Sequence, residues 1–144
     1  MTNTKIALMA IPILAALMIG AVIAPAYSIP EVPIEIDIKP GSFPNSVNPK
    51  SMGLVPVAIL GTEDWSVGYV DVSSLAFGPN GAAPVHDGHY EDVNGDGFVD
   101  LVTHYVQKLT GIASGDTEAC LTGATNGGNP FEACDSVSTP GANP

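Results

Sequence analysis

Beyond residue 26 the chain is a succession of short apolar, β-branched runs separated by glycine and proline. Ile34, Ile36 and Ile38 alternate with Glu35 and Asp37, which puts the isoleucines on one face of a strand and the acids on the other. Similar runs occupy positions 54–60, 67–72, 75–77, 85–90, 100–106, 117–122 and 131–137. Between them fall turn-forming clusters: Pro40-Gly41, Pro44-Asn45, Gly78 to Gly81, Gly95 and Gly97, Gly111, and Gly127 to Pro130. No window carries a 3.6-residue apolar stripe long enough for a helix. After the leader, valine outnumbers leucine 13 to 6, a bias toward strands.

Seven or eight turn-separated strands in about 110 residues predict an all-β fold, an antiparallel immunoglobulin-like β-sandwich. A barrel is the alternative. The long connection before Leu54 suits a strand that crosses between two sheets, which favours the sandwich.

The first 26 residues read differently. Ile6 to Ala24 is an apolar run of 19 residues broken only by Pro12 and Gly20, after a short start carrying Lys5. Ala24-Pro25-Ala26 then supplies the small-x-small pattern of a processing site. Residues 1–26 are thus expected to be a signal peptide. An uncleaved anchor helix competes, because such a run can just cross a bilayer core of about 30 Å. Pro12, Gly20 and the processing site favour removal. Residues 27–33, with Pro30 and Pro33, are expected to form an extended arm, read as a disordered N-terminus or as a strand donated to a neighbour's sheet. The sandwich is placed at 34–138 and a tail at 139–144.

Charge narrows the partners. Four lysines and no arginine stand against 15 acidic residues, for a net charge of −11. Nucleic-acid binding needs a basic surface that displaces phosphate counterions, and a membrane-surface protein needs a polybasic patch; this chain has neither. Any membrane contact runs through the N-terminal segment. Cys120 and Cys134 are the only cysteines, and an even pair in an exported domain predicts a disulfide between neighbouring strands. Their spacing is not CxxC, so no redox role is expected.

The most specific motif is Asp92-Val93-Asn94-Gly95-Asp96-Gly97-Phe98-Val99-Asp100. It fits D-x-N-x-D-G-x-x-D, the first nine positions of a calcium loop. Side chains at positions 1, 3 and 5 converge when the backbone curls, Gly97 permits the reversal, and the Phe98 carbonyl turns inward. Asp100 at position 9 completes the set, directly or through a water. Asp92, Asn94, Asp96, Phe98 and Asp100 together offer hard oxygens, which suit Ca²⁺ rather than zinc or copper. Position 12 is Thr103 where a helical EF-hand has a bidentate Glu, and the flanks read as strands. The expected element is a calcium-stapled turn between strands; a metal-free acidic hairpin is the plainer alternative.

His86, His89 and His104 are the only histidines. His86 and His89 are an odd number of positions apart and face opposite sides of a regular strand, unless Gly88 breaks it. They are a secondary candidate for copper or zinc, with Asp87 as a fourth ligand; polar strand-edge positions are the plainer reading. Hydrolase signatures (G-x-S-x-G, H-E-x-x-H) are absent from the sequence. Trp65 and Tyr69 suit sugar stacking, or, for Trp65, capping one end of the core.

The segments 36–42, 44–51 and 55–61, followed by Phe77 to Gly81, Glu91 to Val102, and Gly115 to Ala119 with Leu121 to Gly123, resemble a recurrent module of secreted prokaryotic proteins. The loop itself is similar to those of integrin-type β-propeller repeats, and the leader resembles those of some archaeal exported proteins. The resemblance covers residues 34–137 and implies the calcium ligands above, an extracellular setting and no enzymatic role. The two cysteines lie outside that pattern. The expected function is a secreted, calcium-binding cell-surface module for structure or adhesion, with an extracellular protein or polysaccharide, or a second copy of the chain, as partner. A carbohydrate-active or copper/zinc-binding accessory protein and a self-assembling filament or surface-layer subunit are the alternatives.

Overall fold

The structure is a computed structural model that describes residues 20–24 and 33–141. The segment expected to be a signal or anchor, apart from residues 20–24, and the 27–33 arm, apart from Pro33, lie outside the described residues. Among the described residues, no helix is long and apolar enough to cross a membrane.

Among the described residues, seven strands form two antiparallel sheets: β1 (Ile36–Ile38), β2 (Leu54–Ile59), β3 (Val70–Phe77), β4 (His89–Glu91), β5 (Asp100–Val106), β6 (Glu118–Thr125) and β7 (Pro130–Ser136). All seven belong to one compact unit, Glu31–Pro144. One sheet has the order β1-β2-β5-β4 and the other β3-β6-β7. Helix is confined, among the described residues, to two single 3₁₀ turns, Val67–Tyr69 and Gln107–Leu109. The all-β expectation therefore holds.

Alternation decides which residues enter the core. Ile36 and Ile38 of β1, Val55, Val57 and Ile59 of β2, and Leu101 and Tyr105 of β5 are buried together with Val70, Leu75 and Phe77 of β3 and Leu121 and Ala133 of the second sheet. Both sheets thus share one apolar cluster. Tyr105 is fully buried; its ring packs 5.0 Å from that of Phe77 and its hydroxyl meets Thr103 Oγ1 at 2.9 Å. Burial pushes the Tyr105 phenol up to about 12.

A second tie between the sheets is polar. Asp135 of β7 accepts from the Ile38 backbone N–H at 2.9 Å and from Asn45 Nδ2 at 3.0 Å, with one carboxylate oxygen serving both. Asn45, itself buried, also donates to the Ser136 carbonyl. Loop 39–53 is thereby fastened across the sheet junction.

Three of the expected elements differ in detail. The runs at 67–72 and 75–77 are a 3₁₀ turn followed by one continuous strand. The polar pair Ser73-Ser74 does not end it, because the register shifts between Asp71 and Ala76 and Ser74 Oγ bonds the Asp71 carbonyl. The 85–90 run joins the ladder with β5 only from His89, apart from a single backbone bond at Val85, because Gly88 sits at φ 81° and turns the chain. The first residue of the expected 139–144 tail packs onto the domain. Thr139 is buried, accepts from the Gly115 N–H and donates to the Asp116 carbonyl.

Candidate metal centres

β4 and β5 are joined by the loop 92–99, and the loop folds around the carboxylate of Asp92. One Asp92 oxygen accepts from the backbone N–H of Gly95 at 2.8 Å and of Asp96 at 3.2 Å; the other accepts from Gly97 at 2.9 Å. The last of these closes the ring from position 1 to position 6 of the motif, with Gly97 at φ 91°. Asn94 Oδ1 accepts from the Asp96 N–H, Asn94 Nδ2 donates to Asp96 Oδ2, and Asp96 Oδ1 accepts from the Phe98 N–H. Asp92, Asn94 and Asp96 are exposed, so their remaining lone pairs face solvent. Phe98 is 38% exposed, and its ring stands outside the core cluster.

Asp100 is built differently from the other acids. It is fully buried at the first position of β5. Its Oδ1 accepts from the Gly61 N–H at 2.8 Å, and its Oδ2 from the Val93 N–H at 2.9 Å. A charged acceptor gives bonds about twice as strong as a neutral one, so this carboxylate bolts the loop to the end of β2. Gly61 and Val93 act through their backbone. The spacing of the motif carried no sign of either.

The residues fit Ca²⁺ in donor chemistry. Carboxylate, amide and carbonyl oxygens lie along one curled backbone, and an accepting carboxylate oxygen keeps a second lone pair for a cation. Among the described residues, candidate ligand atoms lie within 4.8 Å of one another only for Glu118, Cys120 and Cys134. Those two sulfurs are joined in a disulfide and offer no thiolate. Neither the three loop aspartates nor the three histidines come together as a trio within that spacing.

The disulfide itself is as expected. Cys120 and Cys134 lie opposite each other on β6 and β7, with Cα atoms 4.0 Å apart.

The histidines cluster, against the regular-strand expectation. His89 pairs with Val102, so His104, two residues along β5, is its diagonal neighbour on the same face. The turn at Gly88 folds the preceding segment back, and the Val85 N–H donates to the His104 carbonyl. A side chain at position 88 would meet the Val102 carbonyl at 2.5 Å, so only glycine permits this approach. The ring centroids of His86 and His89 stand 5.0 and 5.9 Å from that of His104. Burial, and then the neighbouring His86 and His89, hold His104 below the usual histidine range. Its Nδ1 is buried with no hydrogen-bond partner. Trp65 packs against the core, away from any such cluster, and Tyr69 is exposed.

The same outer face carries Asp37, opposite Ala58 in the register. Burial, then the charges of Asp135 and Asp100, raise the Asp37 carboxyl above its ordinary 3.8. The folded state therefore carries a cost at neutral pH that disappears as pH falls below both pKa values, where the group is neutral in either state. Asp37→Asn is expected to raise the melting temperature at pH 7, with the gain shrinking toward pH 3. An equal gain at both pH values would show that the charge is not its source.

Comparison with protein-family models, with curated proteins and with solved structures finds no match to this chain.

Proposed function

We propose that the chain is an extracellular, calcium-stabilised structural or adhesion module. In this reading its two sheets form an immunoglobulin-like sandwich, and the β4–loop–β5 edge is the surface offered to a protein or polysaccharide. The observation that carries it is the loop 92–100. Its first aspartate already organises three backbone N–H groups, and its last is buried as an anchor in β5.

Asp92, Asn94, Asp96 and the Phe98 carbonyl would hold the ion, with Asp100 beneath them. The ion would supply neutralisation of neighbouring carboxylates and rigidity of the edge, with no role in covalent chemistry. Glu91 and Asp87 keep this surface acidic, which fits an uncharged or cationic partner and disfavours an anionic polymer. The disulfide is compatible with an oxidising, extracytoplasmic setting.

A calcium titration of the full chain, followed by thermal melting, tests the reading. With a Kd of about 10⁻⁴ to 10⁻³ M, as in extracellular modules, 10 mM Ca²⁺ stabilises by roughly 1.5 to 3 kcal/mol. Asp96→Ala is expected to abolish that response while leaving the calcium-free melting temperature close to the parent's, because Asp96 is exposed. Melting that ignores both Ca²⁺ and chelator would sink the proposal.

A further inference from the structure

We propose that His86, His89 and His104 form a second metal centre, for a divalent ion of the zinc–copper class, on the outer face of β4 and β5. The placement comes from the register and from the Gly88 turn together, which bring two rings beside the half-buried His104. An ion held by imidazole nitrogens at about 2.0–2.1 Å leaves the ring centres roughly 5 to 6 Å apart. The observed centroid separations of 5.0 and 5.9 Å fall in that range.

Each ring has a distinct state. His104 presents the buried Nδ1 that has no partner, and a buried nitrogen in that condition calls for one. His89 Nε2 lies 3.3 Å from Glu91 Oε2, which leaves Nδ1 as the ligating atom. A carboxylate on the far nitrogen orients a metal-bound histidine and raises its basicity, and Glu91 stands in that place. His86 Nδ1 accepts from the Gly88 N–H at 3.0 Å, so its neutral ring carries the proton on Nε2. To ligate through Nε2 the ring must move that proton to Nδ1 and turn away from Gly88. His86 is therefore the weakest of the three ligands.

His86 and His89 are exposed, so rotation about their side-chain torsions brings the nitrogens closer without disturbing the core. The donor types separate the two centres. Imidazole nitrogen suits zinc and copper, whereas the 92–100 loop offers oxygens alone. The exposed acids Asp87 and Glu91 add negative charge beside the rings and favour a dication.

The test uses the full chain saturated with Ca²⁺, so that the loop does not compete. Equilibrium dialysis against Zn²⁺ and, separately, Cu²⁺ is expected to give one tightly held equivalent, with nitrogen hyperfine structure in the Cu²⁺ electron paramagnetic resonance spectrum. His104→Gln and His89→Gln are each expected to weaken binding by at least about tenfold, and His86→Ala by less. Glu118→Gln, at an exposed acid on β6 of the other sheet, is expected to leave it unchanged, which separates this centre from the remaining surface acids. His86→Ala and His89→Gln alter exposed residues and keep the comparison sound if His104→Gln fails to fold. Absence of a stoichiometric ion, affinities untouched by both His89→Gln and His104→Gln, or loss of the ion in Glu118→Gln would overturn the proposal.

Discussion

Asp100→Ala is expected to lower the unfolding free energy by about 3 to 5 kcal/mol. Hydrogen bonds to a charged acceptor contribute about 1.5 to 3 kcal/mol each, and this substitution removes two of them at once. It also strands the Gly61 and Val93 N–H groups, which have no other acceptor among the described residues. Alanine leaves a small cavity at a fully buried position and adds to the loss. Asp100→Asn is expected to lose less. Its amide oxygen keeps one of the two bonds while its NH₂ faces the other donor. Urea unfolding with and without chelator is the measurement. A loss that persists in chelator assigns Asp100 a structural task independent of Ca²⁺; a loss below about 1 kcal/mol in both conditions, less than one such bond contributes, would remove it from the fold's energetics.

Removing the Cys120–Cys134 crosslink is expected to cost about 3 kcal/mol, the chain-entropy value for a closed loop of about 15 residues. Cysteines 14 positions apart give a loop of that size. For a domain of this length the corresponding fall in melting temperature is about 10 to 20 °C. The effect should also spread beyond the β6–β7 hairpin. β7 forms one edge of its sheet and carries Asp135, whose carboxylate reaches the Ile38 N–H and Asn45 across the junction. A loosened β7 therefore exposes loop 39–53 as well. Hydrogen exchange on the Cys120→Ala/Cys134→Ala variant is expected to show faster exchange at Ile38 as well as along β7. Exchange confined to β6 and β7 would show that the polar tie does not depend on the disulfide.

Legibility differed sharply between strands. The boundaries of β5 were readable because Leu101, Val102, Thr103, Tyr105 and Val106 favour strand and stand between an acidic glycine-rich loop and Gln107. β3 was harder. Its Ser73-Ser74 pair looks like a break in sequence, yet Ser74 Oγ satisfies backbone groups on both β3 and β6 and lets the strand continue. The 85–90 run has strand-forming residues, and only the left-handed turn at Gly88 reveals that its first half serves to fold His86 onto β5. That glycine was visible in the sequence; its conformation was not.

The D-x-N-x-D-G-x-x-D motif was legible as a spacing because its residues are local. Positions 1 to 9 must meet within one loop, so their order along the chain carries the geometry. Asp100 shows the limit of such reading. Its position in the motif was plain, but the bond to Gly61 spans 39 residues, and the Val99 carbonyl oxygen would lie 2.2 Å from any side-chain carbon at 61. Asp135 is the same case at greater range, 97 residues from Ile38.

By itself the sequence determined the strand-rich character of the domain, its acidic surface, the pairing of its two cysteines and the composition of the oxygen-rich loop. Periodicity, charge and short-range spacing act along the chain, and these properties need nothing more. Tertiary structure alone decided that both sheets share one core, that Asp100 and Asp135 are anchors, and that three histidines meet on one face. Each depends on strand register and on chain segments brought together from far apart, and no local pattern encodes which distant backbone N–H a carboxylate will find.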